Sequence, residues 1–134
     1  MTVRFLLDTS AIARIQQGVA ASRWARAASA GTVALCDPVE LEVLRKTDGG
    51  GPRRAMRRLL RETYPWCPVP DNAWDRALDL QDRLSDASQH RGVSIVDLVI
   101  AVTAARHRLT VLHDDRDYEV ISRVTGLPVQ RVID

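Results

Sequence analysis

The chain has 134 residues, 46% of them apolar, a size and composition suited to one domain with one core. Its formal net charge is only +2, so composition does not mark a dedicated polyanion binder, although 18 of its 19 basic residues are arginines, Lys46 being the exception. No apolar run approaches the roughly 18 residues of a membrane span, and the apolar stretch of MTVRFLLD is too short for a signal peptide.

In chain order, VRFLLD reads as a first strand, SAIARIQQG as a short helix ending at Gly18, and ASRWARAASAG as a second helix stopped by Gly31. TVALC is a strand. DPVELEVLRK follows as a helix, with Asp37 as N-cap and Pro38 in its first position. TDGGGP is the clearest break in the chain, and RRAMRRLLRETY after it is a strongly basic helix. PWCPVP allows a short extended piece at most. NAWDRALDLQDRLSDASQHRG is a long amphipathic helix whose apolar side is marked by Trp74, Leu78 and Leu84. SIVDLVIAVTAARH is apolar nearly all round, the pattern of a helix buried inside a domain. LTVLH, DYEVISRVTG and PVQRVI complete the chain as strand, helix and strand. The alternation predicts an α/β fold over 1–134, a mainly parallel sheet covered on both faces by helices.

The acids fall at particular places on this scheme. Asp8 ends the first strand, and Asp114, Asp115 and Asp117 follow the LTVLH strand. In open α/β sheets, ligands bind beyond the carboxyl ends of the strands. Asp8 also suits a plain helix cap or turn. Asp97 interrupts an otherwise apolar helix, where a lone carboxylate needs a partner or a metal. With Ser94 as N-cap it equally completes a variant capping box. Glu40 and Glu42 both lie on the helix after the second strand. Glu40 falls within the helix's broad apolar arc and Glu42 at its edge, which mildly favours Glu42 as the acid facing a cleft; Glu40 is then expected at the surface.

Carboxylates gathered in one cleft repel one another, and a divalent cation removes that conflict. Oxygen ligands without histidine or cysteine suit Mg²⁺ or Mn²⁺. His90, His107 and His113 lack HExxH-like spacing, and no GxxxxGK[ST] occurs, which argues against a zinc hydrolase and a P-loop NTPase. Cys36 and Cys67 form neither a CxxC nor a zinc pattern and are expected as reduced thiols in or near the core of a cytoplasmic protein.

Four segments, LLDTSAI, PVELEVLR, SIVDLVIAVTAA and LTVLHDDRDYEVI, together resemble the PIN-domain ribonucleases, and among them the VapC toxins of bacterial toxin–antitoxin pairs. The resemblance spans essentially the whole chain. It implies catalytic acids at Asp8, Glu42, Asp97 and Asp115, with Ser10 a polar helper of Asp8. It implies Mg²⁺ (or Mn²⁺) held mainly by Asp8 and Asp97, with Glu42 and Asp115 orienting the water, binding a second metal or placing the ion through its bound waters, and Asp117 a further acidic position and candidate ligand. Where many members carry Thr or Ser two residues before the fourth acid, this chain has His113, expected as a packing residue or a phosphate contact. The expected activity is hydrolysis of one structured RNA, such as a tRNA or a ribosomal loop, with Arg53, Arg54, Arg57 and Arg58 as candidate RNA contacts. The expected partners are a cognate VapB-type antitoxin and a second copy of the chain in a homodimer. Two rivals stand beside this reading. A phosphoryl-accepting receiver needs an acidic pair near its first strand and a late lysine, which this chain lacks. A non-catalytic partner-binding module on the same fold has no need of all four acids.

Overall fold

The computed structural model describes residues 2–133, so Met1 and Asp134 of the expected 1–134 domain lie outside the described residues. Four short strands make one parallel sheet: β1 (Phe5–Leu7), β2 (Val33–Ala34), β3 (Thr110–His113) and β4 (Val129–Arg131). Their order is β2-β1-β3-β4. Leu6 lies opposite Ala34 on one side and Val111 on the other, and Leu112 lies opposite Gln130. Leu6, Leu7, Val111 and Leu112 are fully buried, because helices cover both faces of a parallel sheet.

Helices α1 (Thr9–Gln16) and α2 (Ser22–Ser29) connect β1 to β2. Four helices then lead from β2 to β3: α3 (Asp37–Arg45), α4 (Gly50–Thr63), α5 (Ala73–Asp86) and α6 (Ile95–His107). Helix α7 (Arg116–Thr125) joins β3 to β4. The α/β architecture is therefore the one expected. The chain leaves β1 toward β2 and returns to β3 on β1's other side. The strand order reverses between β1 and β3, the point at which open α/β sheets form a crevice beyond the carboxyl ends of their strands.

Helix α6 is buried from Leu98 to Ala104, as its all-round apolar pattern predicts. Cys36 and Cys67 are free and buried in the core, with both thiols pushed up in pKa by burial, Cys36 to about 12 and Cys67 to about 11. PWCPVP contributes a single parallel bridge, Trp66 to Leu35.

Two expectations change. The connector at TDGGGP is shorter than its composition suggests, because α4 already starts at Gly50. Gly50, Gly51 and Pro52 occupy its first turn, where N–H groups lack helical partners and proline is tolerated. Helix α5 ends at Asp86 and buries Ala73, Ala77, Leu80 and Leu84, leaving Trp74 67% and Leu78 59% exposed. Small alanines let α5 sit close to its neighbour, and the larger residues one position on are turned about 100° away. Among the described residues no helix is long and apolar enough to cross a membrane.

Candidate metal centre

Asp8 leaves the end of β1 with its backbone N–H donating to Leu112 O at 3.0 Å, so the sheet register itself holds it at the crevice. Its carboxylate caps α1, accepting from Ala11 N–H at 2.8 Å and from the Ser10 hydroxyl at 2.8 Å to each oxygen. The cap and the candidate site thus use the same side chain. Only 3% of Asp8 is exposed. Burial pushes its pKa up to about 7 despite these donors, and the charge of Asp97 adds to the rise.

Asp97 occupies the first turn of α6, whose N-cap Ser94 accepts from the Asp97 N–H at 3.1 Å. Its Oδ1 accepts a hydrogen bond from the Tyr118 hydroxyl at 3.0 Å. Burial raises the Asp97 pKa to about 6; the Tyr118 hydrogen bond opposes that rise and the Asp115 charge adds to it. Asp115 is the N-cap of α7, accepting from the Asp117 N–H at 2.9 Å. Asp117 follows in the first turn, its pKa raised first by burial and then by Asp115.

Asp97, Asp115 and Asp117 each offer one carboxylate oxygen, and the three oxygens lie within 4.8 Å of one another. Ligands on opposite sides of Mg²⁺ stand about 4.2 Å apart, so this spacing is on the scale of a coordination sphere. Three half-buried oxygen donors with no sulfur or imidazole among them fit a hard divalent cation. Asp8 is not one of the three. The sequence reading put the metal mainly on Asp8 and Asp97; the geometry groups Asp97 most closely with the two acids after β3.

Glu42 sits on α3 and accepts from the Thr9 hydroxyl at 2.5 Å, which turns it toward the residue next to Asp8. Glu40 is not at the surface as expected. It is buried, and Oε1 takes Arg61 at 3.2 Å and Arg57 at 3.7 Å from α4. Its place inside the apolar arc accounts for the burial, and the neighbouring helix supplies the ion pairs. Arg57 is thereby committed to Glu40, whereas Arg53, Arg54 and Arg58 lie exposed on α4. Among the described residues, no hydrogen bond or ion pair joins these arginines to Asp8, Asp97, Asp115 or Asp117.

Asp114 points away from the trio, to Arg14 at 2.7 Å and Arg131 at 3.2 Å, while its backbone N–H donates to the Ser10 hydroxyl at 2.9 Å. Ser10 therefore ties the start of α1 to the loop after β3. His113 is fully buried, and its Nδ1 accepts the Asp115 N–H at 3.2 Å, which fits packing rather than an exposed phosphate contact. Thr9, Tyr118, Arg14 and Arg131 were not singled out from the sequence. Thr9 and Tyr118 at least adjoin predicted acids; the arginines carry no local signal, since their partner Asp114 lies 100 and 17 residues away.

The chain is similar to known proteins over most of its length. The family model described as PIN domain matches residues 5–124. Ribonuclease VapC21 of Mycobacterium tuberculosis is 34% identical over 133 residues, covering 99% of this chain and 96% of its own length. Ribonuclease VapC2 of the same organism is 35% identical over 130 residues, covering 96% and 92%. The crystal structure of VapBC2 from Rickettsia felis, bound to a DNA fragment from their promoter, includes a chain of similar fold. Its TM-score is 0.76 at 14% identity, covering 96% of this chain and 98% of that one.

Proposed function

This chain belongs to the PIN domain family, and on that premise we propose that it is a metal-dependent endoribonuclease, the toxin of a VapBC-type pair, acting as one domain. The observation that carries the reading is the convergence of Asp97, Asp115 and Asp117, with Asp8 beside them, at the strand-order reversal of the sheet. Mg²⁺ or Mn²⁺ bound there would supply Lewis acidity toward a phosphodiester and lower the pKa of attacking water. Asp97, Asp115 and Asp117 would hold the cation, with Asp8 completing the acidic wall. Burial raises Asp8 to about 7 in the metal-free protein, and a cation bound beside it would hold it as the carboxylate, able to accept a hydrogen bond from water. Glu42, steadied by Thr9, orients the water from the α3 side. In-line attack on phosphorus expels the 3′ oxygen and leaves 5′-phosphate and 3′-hydroxyl ends. The exposed Arg53, Arg54 and Arg58 supply backbone contacts to RNA. Single-stranded loops within a structured RNA, such as a tRNA or rRNA, are the substrates that such a compact site favours. A VapB-type antitoxin restrains the activity, and the toxin pairs as a homodimer.

The test is to incubate the purified chain with total RNA and Mg²⁺, with and without chelator, and to sequence the new ends. Chelator-sensitive cleavage at a few sites with 5′-phosphate ends is expected. Metal-independent cleavage, or none in the absence of antitoxin, refutes the reading.

A further inference from the structure

Two of the clustered acids, Asp97 and Asp115, are each contacted by a buried aromatic side chain. Tyr118 and His113 are both fully buried, with ring centroids 5.3 Å apart and planes tilted by 40°. Each makes one polar contact upward. The Tyr118 hydroxyl donates to Asp97 Oδ1 at 3.0 Å, and His113 Nδ1 accepts the Asp115 N–H at 3.2 Å. Asp97 and Asp115 come from different elements, α6 and the β3–α7 junction, so the two neighbouring rings bridge the two sides of the cluster.

We propose that Tyr118 and His113 are a positioning pair for the metal centre, Tyr118 orienting the Asp97 carboxylate and His113 the Asp115 loop. The proposal rests on the metal-centre reading above. The chemistry of each contact is specific. A phenol within the first turn of the helix after β3 reaches Asp97 only because the ring is packed under the site; phenylalanine would fill the same space and leave Oδ1 without that donor. An acceptor at Nδ1 requires the neutral imidazole to carry its proton on Nε2. That nitrogen lacks a hydrogen-bond partner and stands 3.8 Å from Glu119 Oε1, which Arg131 already holds at 2.9 Å. His113 therefore does with a ring nitrogen what a short hydroxyl or amide side chain does at a turn, accepting the N–H two residues on. Carboxylates that bind metals depend on such outer partners, whose loss weakens metal affinity by about 10- to 100-fold.

The experiment measures Mn²⁺ affinity by electron paramagnetic resonance of the free ion, on the full chain without RNA, for the wild type, Tyr118→Phe, His113→Leu, His113→Asn and Asp97→Asn. Circular dichroism and melting of the metal-free proteins accompany it. Tyr118→Phe is expected to bind Mn²⁺ about tenfold or more weakly at an unchanged fold. His113→Leu is expected to weaken binding similarly. His113→Asn, whose Oδ1 takes the place of Nδ1, restores affinity to within a few fold of the wild type even if its melting temperature is as low as that of the leucine variant. A role in packing alone would make affinity follow melting temperature. Wild-type affinity in Tyr118→Phe, or equal loss in the asparagine and leucine variants, overturns the proposal. If the His113 variants do not fold, Tyr118→Phe decides alone. Strong binding by the wild type with little by Asp97→Asn keeps the metal-centre reading whatever the pair does; equal binding by those two proteins removes that reading and the pair with it.

Discussion

Asp97 combines a place in the first turn of α6 with a place in the acidic cluster. It sits where an acid suits the α6 N-terminus, and the same first turn faces the crevice. Asp97→Asn keeps the shape and removes a ligand charge, so RNA cleavage at saturating Mg²⁺ should fall by about 10² or more in single-turnover assays. Without metal, the variant should gain stability on the wild type as pH rises. Burial raises the Asp97 pKa from 3.8 to about 6, so the folded protein binds a proton that the unfolded chain has released. That contribution is fully present below pH 3.8 and is lost as pH rises through about 6. Chemical denaturation of both metal-free proteins at pH 4 and pH 7.5 checks this; an equal difference at the two values contradicts it. The paired glutamates give a second contrast. Glu42→Gln should lose about 10² or more in cleavage, while Glu40→Gln should keep cleavage within a few fold. Single-turnover assays on one defined RNA decide, and a dead Glu40 variant would exchange the two assignments.

At the scale of elements, the same division explains what Glu40 does. It clamps α4 onto α3 through Arg57 and Arg61, and Arg61 also lies over the Trp66 ring at 5.0 Å. The arginines are about half exposed, so water weakens these pairs. Glu40→Gln is therefore expected to cost about 1 kcal/mol of stability, read from urea unfolding. The cap of α6 is a further element-scale device. Ser94→Ala removes the acceptor for the Asp97 N–H and should destabilise the fold by about 1 kcal/mol. Because that N–H belongs to a site residue, Mn²⁺ affinity should fall with it; unchanged affinity would show that the turn is held by packing alone. Helix α5 buries Leu84 as its pattern predicts but exposes Trp74 and Leu78. Large apolar residues dominate a periodicity argument, and here the small ones, Ala73 and Ala77, face the core.

Across the whole molecule, the acids arrive from β1, α3, α6 and the β3–α7 junction. A cation that joins them should brace the fold, most strongly where their repulsion is greatest. Asp8, raised to about 7, and Asp97, raised to about 6, are both largely ionised above pH 7. Added Mg²⁺ should thus raise the melting temperature more at pH 8 than at pH 5. Equal shifts at both values, or none, would show that the cation does not bind these acids. The sequence by itself determined the α/β class, the burial of α6 and which acids lie at strand ends and helix starts. Those features follow from short-range periodicity and capping chemistry, which local residues specify. Only the tertiary structure decided that Asp97 groups with Asp115 and Asp117 more closely than with Asp8, that Asp114 turns to Arg14 and Arg131, and that Tyr118 and His113 lie beneath the cluster. These depend on the strand order and on how helices far apart in the chain pack together. A side chain's direction across such a junction is set by its neighbours in space, and no run of adjacent residues encodes it.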